Sequence, residues 1–213
     1  MKKILFQGDS ITDANRDRNM DFYNLGHGYA AMVASQLGYE NPEQYEFLNR
    51  GINGNKITDL YARIKRDIIN LKPDVITILI GVNDVWSEIC SGSGTDTEQF
   101  MKIYCMLIEE IKEKLPDVII IIMEPFLVKG SETQKHWQEF RCGVKEKAKV
   151  AKQVAQKYEL DFIELMDKFD EAVKVGKESY FVFDGVHPMP AGHWIIKNEL
   201  INHFHKLIAE GKI

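Results

Sequence analysis

With 213 residues, of which 45% are apolar and 28% charged, the chain has the makeup of an ordinary soluble protein and can bury a full core as one domain, 1–213. A net charge of −5 without a basic cluster argues against a nucleic-acid partner. Three widely spaced cysteines, no leader-like apolar start and no run near the roughly 18 residues of a membrane helix suggest a reduced, cytoplasmic protein that avoids membranes.

The first apolar run, 3–6, reads as a buried strand, and Gly8-Asp9-Ser10-Ile11-Thr12 follows it. A serine at such a strand-to-helix turn has backbone N–H groups around it, which suits a nucleophile or a phosphate cradle. Asp9 and Asp13 would repel a phosphate, and a plain helix cap is the third reading. A second strand, 45–48, leads into Asn49-Arg50-Gly51-Ile52-Asn53-Gly54, where Gly51 could bring an N–H close to a ligand or simply turn the chain. Residues 58–71 place Leu60, Ile64, Ile68 and Leu71 on one helical stripe.

The third strand, 75–80, is β-branched and nearly free of polar residues, so both its faces are covered, as in a parallel sheet. Asn83, in the Gly81-Val82-Asn83-Asp84 that follows, offers a neutral side-chain donor, with a turn as the plainer reading. Residues 85–97 read as irregular and 98–115 as a helix ending before Pro116. A fourth buried strand, 118–123, precedes a second irregular stretch, 126–133. Lys145, Lys147, Lys149 and Lys152 read as a solvated helix face. A fifth strand, 162–165, and a final helix, 191–209, complete a doubly wound alternation whose ligands belong at the carboxyl ends of the strands.

Between them lies Asp184-Gly185-Val186-His187-Pro188. A carboxylate three residues before a histidine on one loop can hold one imidazole nitrogen and leave the other free as a base. Pro188 keeps His187 out of the following helix. A metal reading through Asp184, His187 and His193 is disfavoured, because Pro188 and Pro190 prevent the helical spacing that would pair two histidines on one ion.

Together, Gly8-Asp9-Ser10-Ile11, Gly51, Gly81-Val82-Asn83-Asp84 and Asp184-x-x-His187-Pro188 resemble the four blocks of the GDSL esterases, or SGNH hydrolases, across nearly the whole chain. Ile11 stands where the family name has leucine. The resemblance implies a flavodoxin-like three-layer α/β/α sandwich with a five-stranded parallel sheet, and acyl transfer to water. It implies Ser10 as nucleophile, His187 as base and Asp184 as its orienter, with an oxyanion hole made of the Ser10 and Gly51 amides and the Asn83 side chain. No metal and no cofactor are expected. Gly8–Arg16, Leu25–Tyr29, Asn83–Trp86 and His187–His193 further resemble the intracellular acetylxylan esterases of this superfamily. The expected partner is therefore a small-molecule ester, foremost an acetylated sugar, with Trp86 either stacking on it or serving the core; a homo-oligomer is left open. Phe126, Trp137 and Phe140 are further candidates for the pocket wall. A lysophospholipase or thioesterase of the same fold is the runner-up, and a non-catalytic flavin- or phosphate-binding module is the alternative of a different class.

Overall fold

The computed structural model describes residues 1–19 and 24–213. Five strands form one parallel sheet: β1 (Lys2–Gly8), β2 (Tyr45–Asn49), β3 (Val75–Leu79), β4 (Ile119–Met123) and β5 (Asp161–Ile163), in the order β2-β1-β3-β4-β5. Register pairs Phe6 with Asn49 on one side and with Thr77 on the other. Strand alternation sorts the apolar side chains into two cores. Ile4, Phe6, Val75, Leu79, Ile121 and Met123 face one layer of helices, while Leu5, Ile76, Ile78, Ile120 and Ile122 face the other.

The helices are α1 (Ser10–Asp13), α2 (Tyr29–Glu40), α3 (Ile57–Ala62), α4 (Ile64–Asp67), α5 (Val82–Ser91), α6 (Thr97–Lys114), α7 (Trp137–Lys157), α8 (Met166–Val175), α9 (Glu178–Phe181) and α10 (Pro190–Ala209). Tyr29, Val33 and Leu37 of α2 pack with Ile196, Leu200 and Phe204 of α10 in the first core. Leu60 of α3 and Tyr104, Ile108 and Ile111 of α6 fill the second, and α7 contributes to both. The result is the three-layer α/β/α sandwich with a five-stranded parallel sheet that the sequence implies. Its strand order is the flavodoxin-like one, whose connections reverse direction between β1 and β3, so a crevice opens beyond their carboxyl ends. Among the described residues no helix is long and apolar enough to cross a membrane.

Four local readings are corrected. The stripe over 58–71 is broken into α3 and α4, because Arg63 leaves helical geometry (φ −108°, ψ 10°) while its guanidinium donates to the carbonyls of Gly8 (3.1 Å) and Arg50 (2.8 Å). Most of 85–97 is helical, in α5, which runs to Gly92 in the left-handed conformation. The fifth strand lies earlier than 162–165. Glu124 accepts the N–H groups of Leu165 and Met166, both at 2.8 Å, and so turns that segment into the start of α8. Finally, Lys147 is not solvated: it is 4% exposed and lies over the Phe100 ring.

Candidate active site

β1 delivers Ser10 to the crevice. Asp9 caps the short helix α1, accepting the Ile11 N–H at 2.9 Å, so Ser10 opens the helix with an N–H that has no acceptor within it. From the other end of the chain comes the loop before α10. It is closed by an antiparallel bridge between Val182 and Pro188 and by the Phe183 N–H on the His187 carbonyl, at 2.8 Å. Within it, Asp184 Oδ1 accepts the backbone N–H groups of Val186 (2.9 Å) and His187 (2.8 Å), which aims its Oδ2 at the imidazole. His187 Nδ1 lies 2.6 Å from Oδ2, and Nε2 lies 2.9 Å from Ser10 Oγ. With Nδ1–H donating to the carboxylate, Nε2 is the nitrogen left to accept the serine proton.

The electrostatics follow this relay. Burial works against the charge of Asp184, but hydrogen bonds from the His187 ring and from the His187 and Val186 backbone outweigh it and hold its pKa at about 2. His187 is raised above its ordinary 6.5, chiefly by the bond to Asp184 and further by the charge of Asp9, against an opposing effect of burial. Asp9 itself is wholly buried, and desolvation pushes it up to about 7.

Asn83 sits in the first turn of α5 and lines the same cleft, of about 400 Å³, as Ser10 and His187. Its Nδ2 donates to the Asn55 carbonyl at 3.1 Å, which fixes the amide and leaves its second hydrogen for a ligand. Asp84 beside it is buried and raised to about 6 by desolvation; it accepts the N–H of Ile57 and the hydroxyl of Thr95, tying α5 to the loop after β2. The Trp86 ring borders the cleft and packs on Phe140, with centroids 4.9 Å apart.

Gly51 requires a correction. Its N–H is already committed to Asn49 Oδ1 at 2.8 Å, and the residue is buried, so that a Cβ there would lie 2.2 Å from the Asp13 nitrogen. Close packing under α1 is what this glycine serves. Gly54, three residues on, lines the cleft with φ +77° and open space around it. Sequence reasoning missed it, although Asn53-Gly54 is itself a turn signal. It also missed Asn53, Ser87 and Glu132, which border the same cleft. Phe126 is stacked on Phe169 in the core and does not border the cleft, and neither do Trp137 and Phe140.

Two competing constellations do not come together. Thr12 is fully buried and its hydroxyl pairs with Tyr29 Oη at 2.8 Å, so it is not offered to a phosphate. His193 is buried, and its Nδ1 accepts the Tyr29 N–H at 3.2 Å; desolvation lowers it to about 4. Among the described residues no group of three His, Cys, Asp or Glu side chains is arranged to hold a metal ion.

Comparison with known proteins identifies the family. Residues 6–195 match the GDSL-like Lipase/Acylhydrolase family. The chain is similar to the acetylxylan esterase Axe2 of Geobacillus stearothermophilus, at 34% identity over 208 residues, covering 92% of this chain and 90% of that protein. The Axe2 structure superposes with a TM-score of 0.84, at 33% identity, covering 94% of this chain and 93% of the other. Catalytic mutants of Axe2, with a serine or an aspartate replaced by alanine, superpose likewise. A GDSL-like lipase candidate from Parabacteroides merdae gives a TM-score of 0.87 at 36% identity, covering 94% of both chains. LAE5, an α/β hydrolase from the Lake Arreo metagenome, gives 0.83 at 27% identity, again covering 94% of each. On this match over most of its length, the chain belongs to the GDSL-like lipase/acylhydrolase family and is a carboxylic ester hydrolase.

Proposed function

We propose that this esterase, acting as a single domain, removes short acyl groups, acetyl foremost, from carbohydrates such as xylo-oligosaccharides. The observation that carries the reading is the unbroken relay Ser10–His187–Asp184, at 2.9 and 2.6 Å, opening onto a small cleft with an aromatic wall. Similarity to an acetylxylan esterase supports the choice of substrate.

In this reading Ser10 Oγ attacks the ester carbonyl as Nε2 of His187 takes its proton, and Asp184 stabilises the imidazolium that forms. The negative charge that develops on the carbonyl oxygen is met by the Ser10 N–H, the free hydrogen of Asn83 Nδ2 and the Gly54 N–H, which takes the place first expected of Gly51. As the bond from the acyl carbon to the sugar oxygen breaks, the imidazolium protonates that oxygen to give the free sugar hydroxyl, and a water activated by the same base then hydrolyses the acyl-serine. Trp86, at the border of the cleft, supplies an aromatic surface for a sugar ring. A cleft of about 400 Å³ bordered by Ser87, Asn53 and Asn83 suits a small acyl group better than a fatty chain, which weighs against a lysophospholipase. The reduced, cytoplasmic setting rests on Cys90, Cys105 and Cys142, all free thiols.

The test is a panel of acetyl, butyryl and octanoyl esters beside acetylated xylose, run on wild type and Ser10→Ala. Acetyl esters should be preferred, Ser10→Ala should abolish turnover without unfolding the protein, and a serine-directed sulfonyl fluoride should titrate the wild type. Activity that survives the substitution and vanishes with a chelator would sink the serine mechanism; preference for octanoyl esters would sink the acetyl assignment.

A further inference from the structure

Glu132 borders the same cleft as Ser10, Asn83 and His187, and nothing in its local sequence marks it. Its position is fixed from the catalytic loop itself. The Glu132 N–H donates to the Asp184 carbonyl at 3.0 Å, and the Val128 N–H donates to the Gly185 carbonyl at 2.9 Å. The turn between these two anchors is held from inside by the buried Thr133. Its hydroxyl donates to the Val128 carbonyl at 2.9 Å and accepts the Gly130 N–H at 2.8 Å. Gly130 is pressed so closely on the loop that a Cβ would lie 2.3 Å from the Gly185 nitrogen. The backbone of Glu132 is therefore part of the same hydrogen-bonded unit as Asp184 and His187, and its exposed side chain stands at the rim of the cleft. The carboxylate has no ion-pair partner among the described residues, and no lysine or arginine borders the cleft.

A negative charge joined to that of Asp184 gives the cleft a potential that repels anions, while carboxylate oxygens accept hydrogen bonds from hydroxyl groups. We propose that Glu132 is a specificity-determining residue that admits neutral, hydroxyl-bearing esters and rejects anionic ones, phosphate- and carboxylate-bearing leaving groups included. This rests on the serine-esterase reading above and narrows it. It sets aside phospholipid and nucleotide-linked thioester substrates on grounds of charge rather than size.

A matched pair of acetyl esters tests it: 4-acetoxybenzamide, which is neutral, and 4-acetoxybenzoate, which carries a carboxylate of nearly the same shape. Wild type should favour the amide in kcat/KM, and the preference should shrink as salt rises from 20 to 500 mM, as screening requires. Glu132→Gln should narrow the preference by roughly 5–10-fold and weaken its salt dependence, Glu132→Lys should narrow it further, and Glu132→Asp should largely restore it. p-Nitrophenyl acetate, neutral and without hydroxyl groups, is the reference: the three variants should change its kcat/KM far less than that of 4-acetoxybenzoate. A preference unchanged in Glu132→Gln, or indifferent to salt, overturns the proposal while leaving the esterase reading intact. Loss of p-nitrophenyl acetate hydrolysis in Glu132→Gln overturns it in favour of a role in holding the catalytic loop. Failure of the wild type to hydrolyse any of these acetyl esters would remove the esterase reading and this proposal together.

Discussion

The hydrogen bond that its Nδ1–H donates to Asp184 makes His187 more basic than an ordinary histidine. Because the base must be neutral to accept the Ser10 proton, the acid limb of kcat/KM should lie above pH 6.5. Asp184→Asn should lower turnover by about 10³–10⁴ and move the residual acid limb to lower pH. A limb that stays in place would show that Asp184 does not govern the titration. Stability depends on these carboxyls with opposite signs. Asp184 is held below its ordinary 3.8, so its contribution is present above that pH and is lost as pH falls towards about 2. Asp9 is pushed from 3.8 to about 7, so the native state keeps a proton that the unfolded chain has released, and stability falls as pH rises across that window. Asp9→Asn retains an oxygen to cap α1. It should raise stability at pH 8 by about 2–4 kcal/mol and change little at pH 4, as thermal melts at the two pH values would read.

At the scale of elements, the loop after β2 separates two glycines that look alike in sequence. Gly51→Ala drives a Cβ into the backbone of Asp13 and should cost about 3 kcal/mol or more. Gly54→Ala meets open space and should cost only about 1 kcal/mol for its positive φ. Equal melting temperatures for the two variants would contradict this account. Asn83→Ala, by contrast, should fold normally and lose about 10²–10³ in kcat, as the proposed oxyanion role requires of a bond that strengthens as charge develops. The legibility of the site divides along the same line. Asp184 and His187 could be paired from sequence because one short loop carries both, and β3 and β4 could be read because strands covered on both faces are continuously apolar. The break between α3 and α4 was hidden, because the stripe of Leu60, Ile64 and Ile68 runs through it and its cause, Arg63, is held by carbonyls of distant segments. Glu132 was hidden for a related reason: a tertiary hydrogen bond, from its N–H to the Asp184 carbonyl, brings it to the cleft, and no local pattern marks it.

In the molecule as a whole, a parallel sheet pairs strands that are remote in sequence, so few contacts at its carboxyl edge are local. Refolding from denaturant should therefore restore far-UV ellipticity before hydrolysis of p-nitrophenyl acetate, with the helical layers forming ahead of the joined site; simultaneous recovery would argue against that order. The relay spans 177 residues of chain from Ser10 to His187, and the first and last segments meet again where Lys2 Nζ donates to the Lys212 carbonyl at 2.8 Å. In the proposed mechanism the serine and its base are thus supplied by segments far apart in the chain, and Ser10 without the segment around 184–187 has no base to arm it. Removal of that segment should leave a chain that carries Ser10 yet hydrolyses no p-nitrophenyl acetate, so that hydrolysis reports the joining of the two segments.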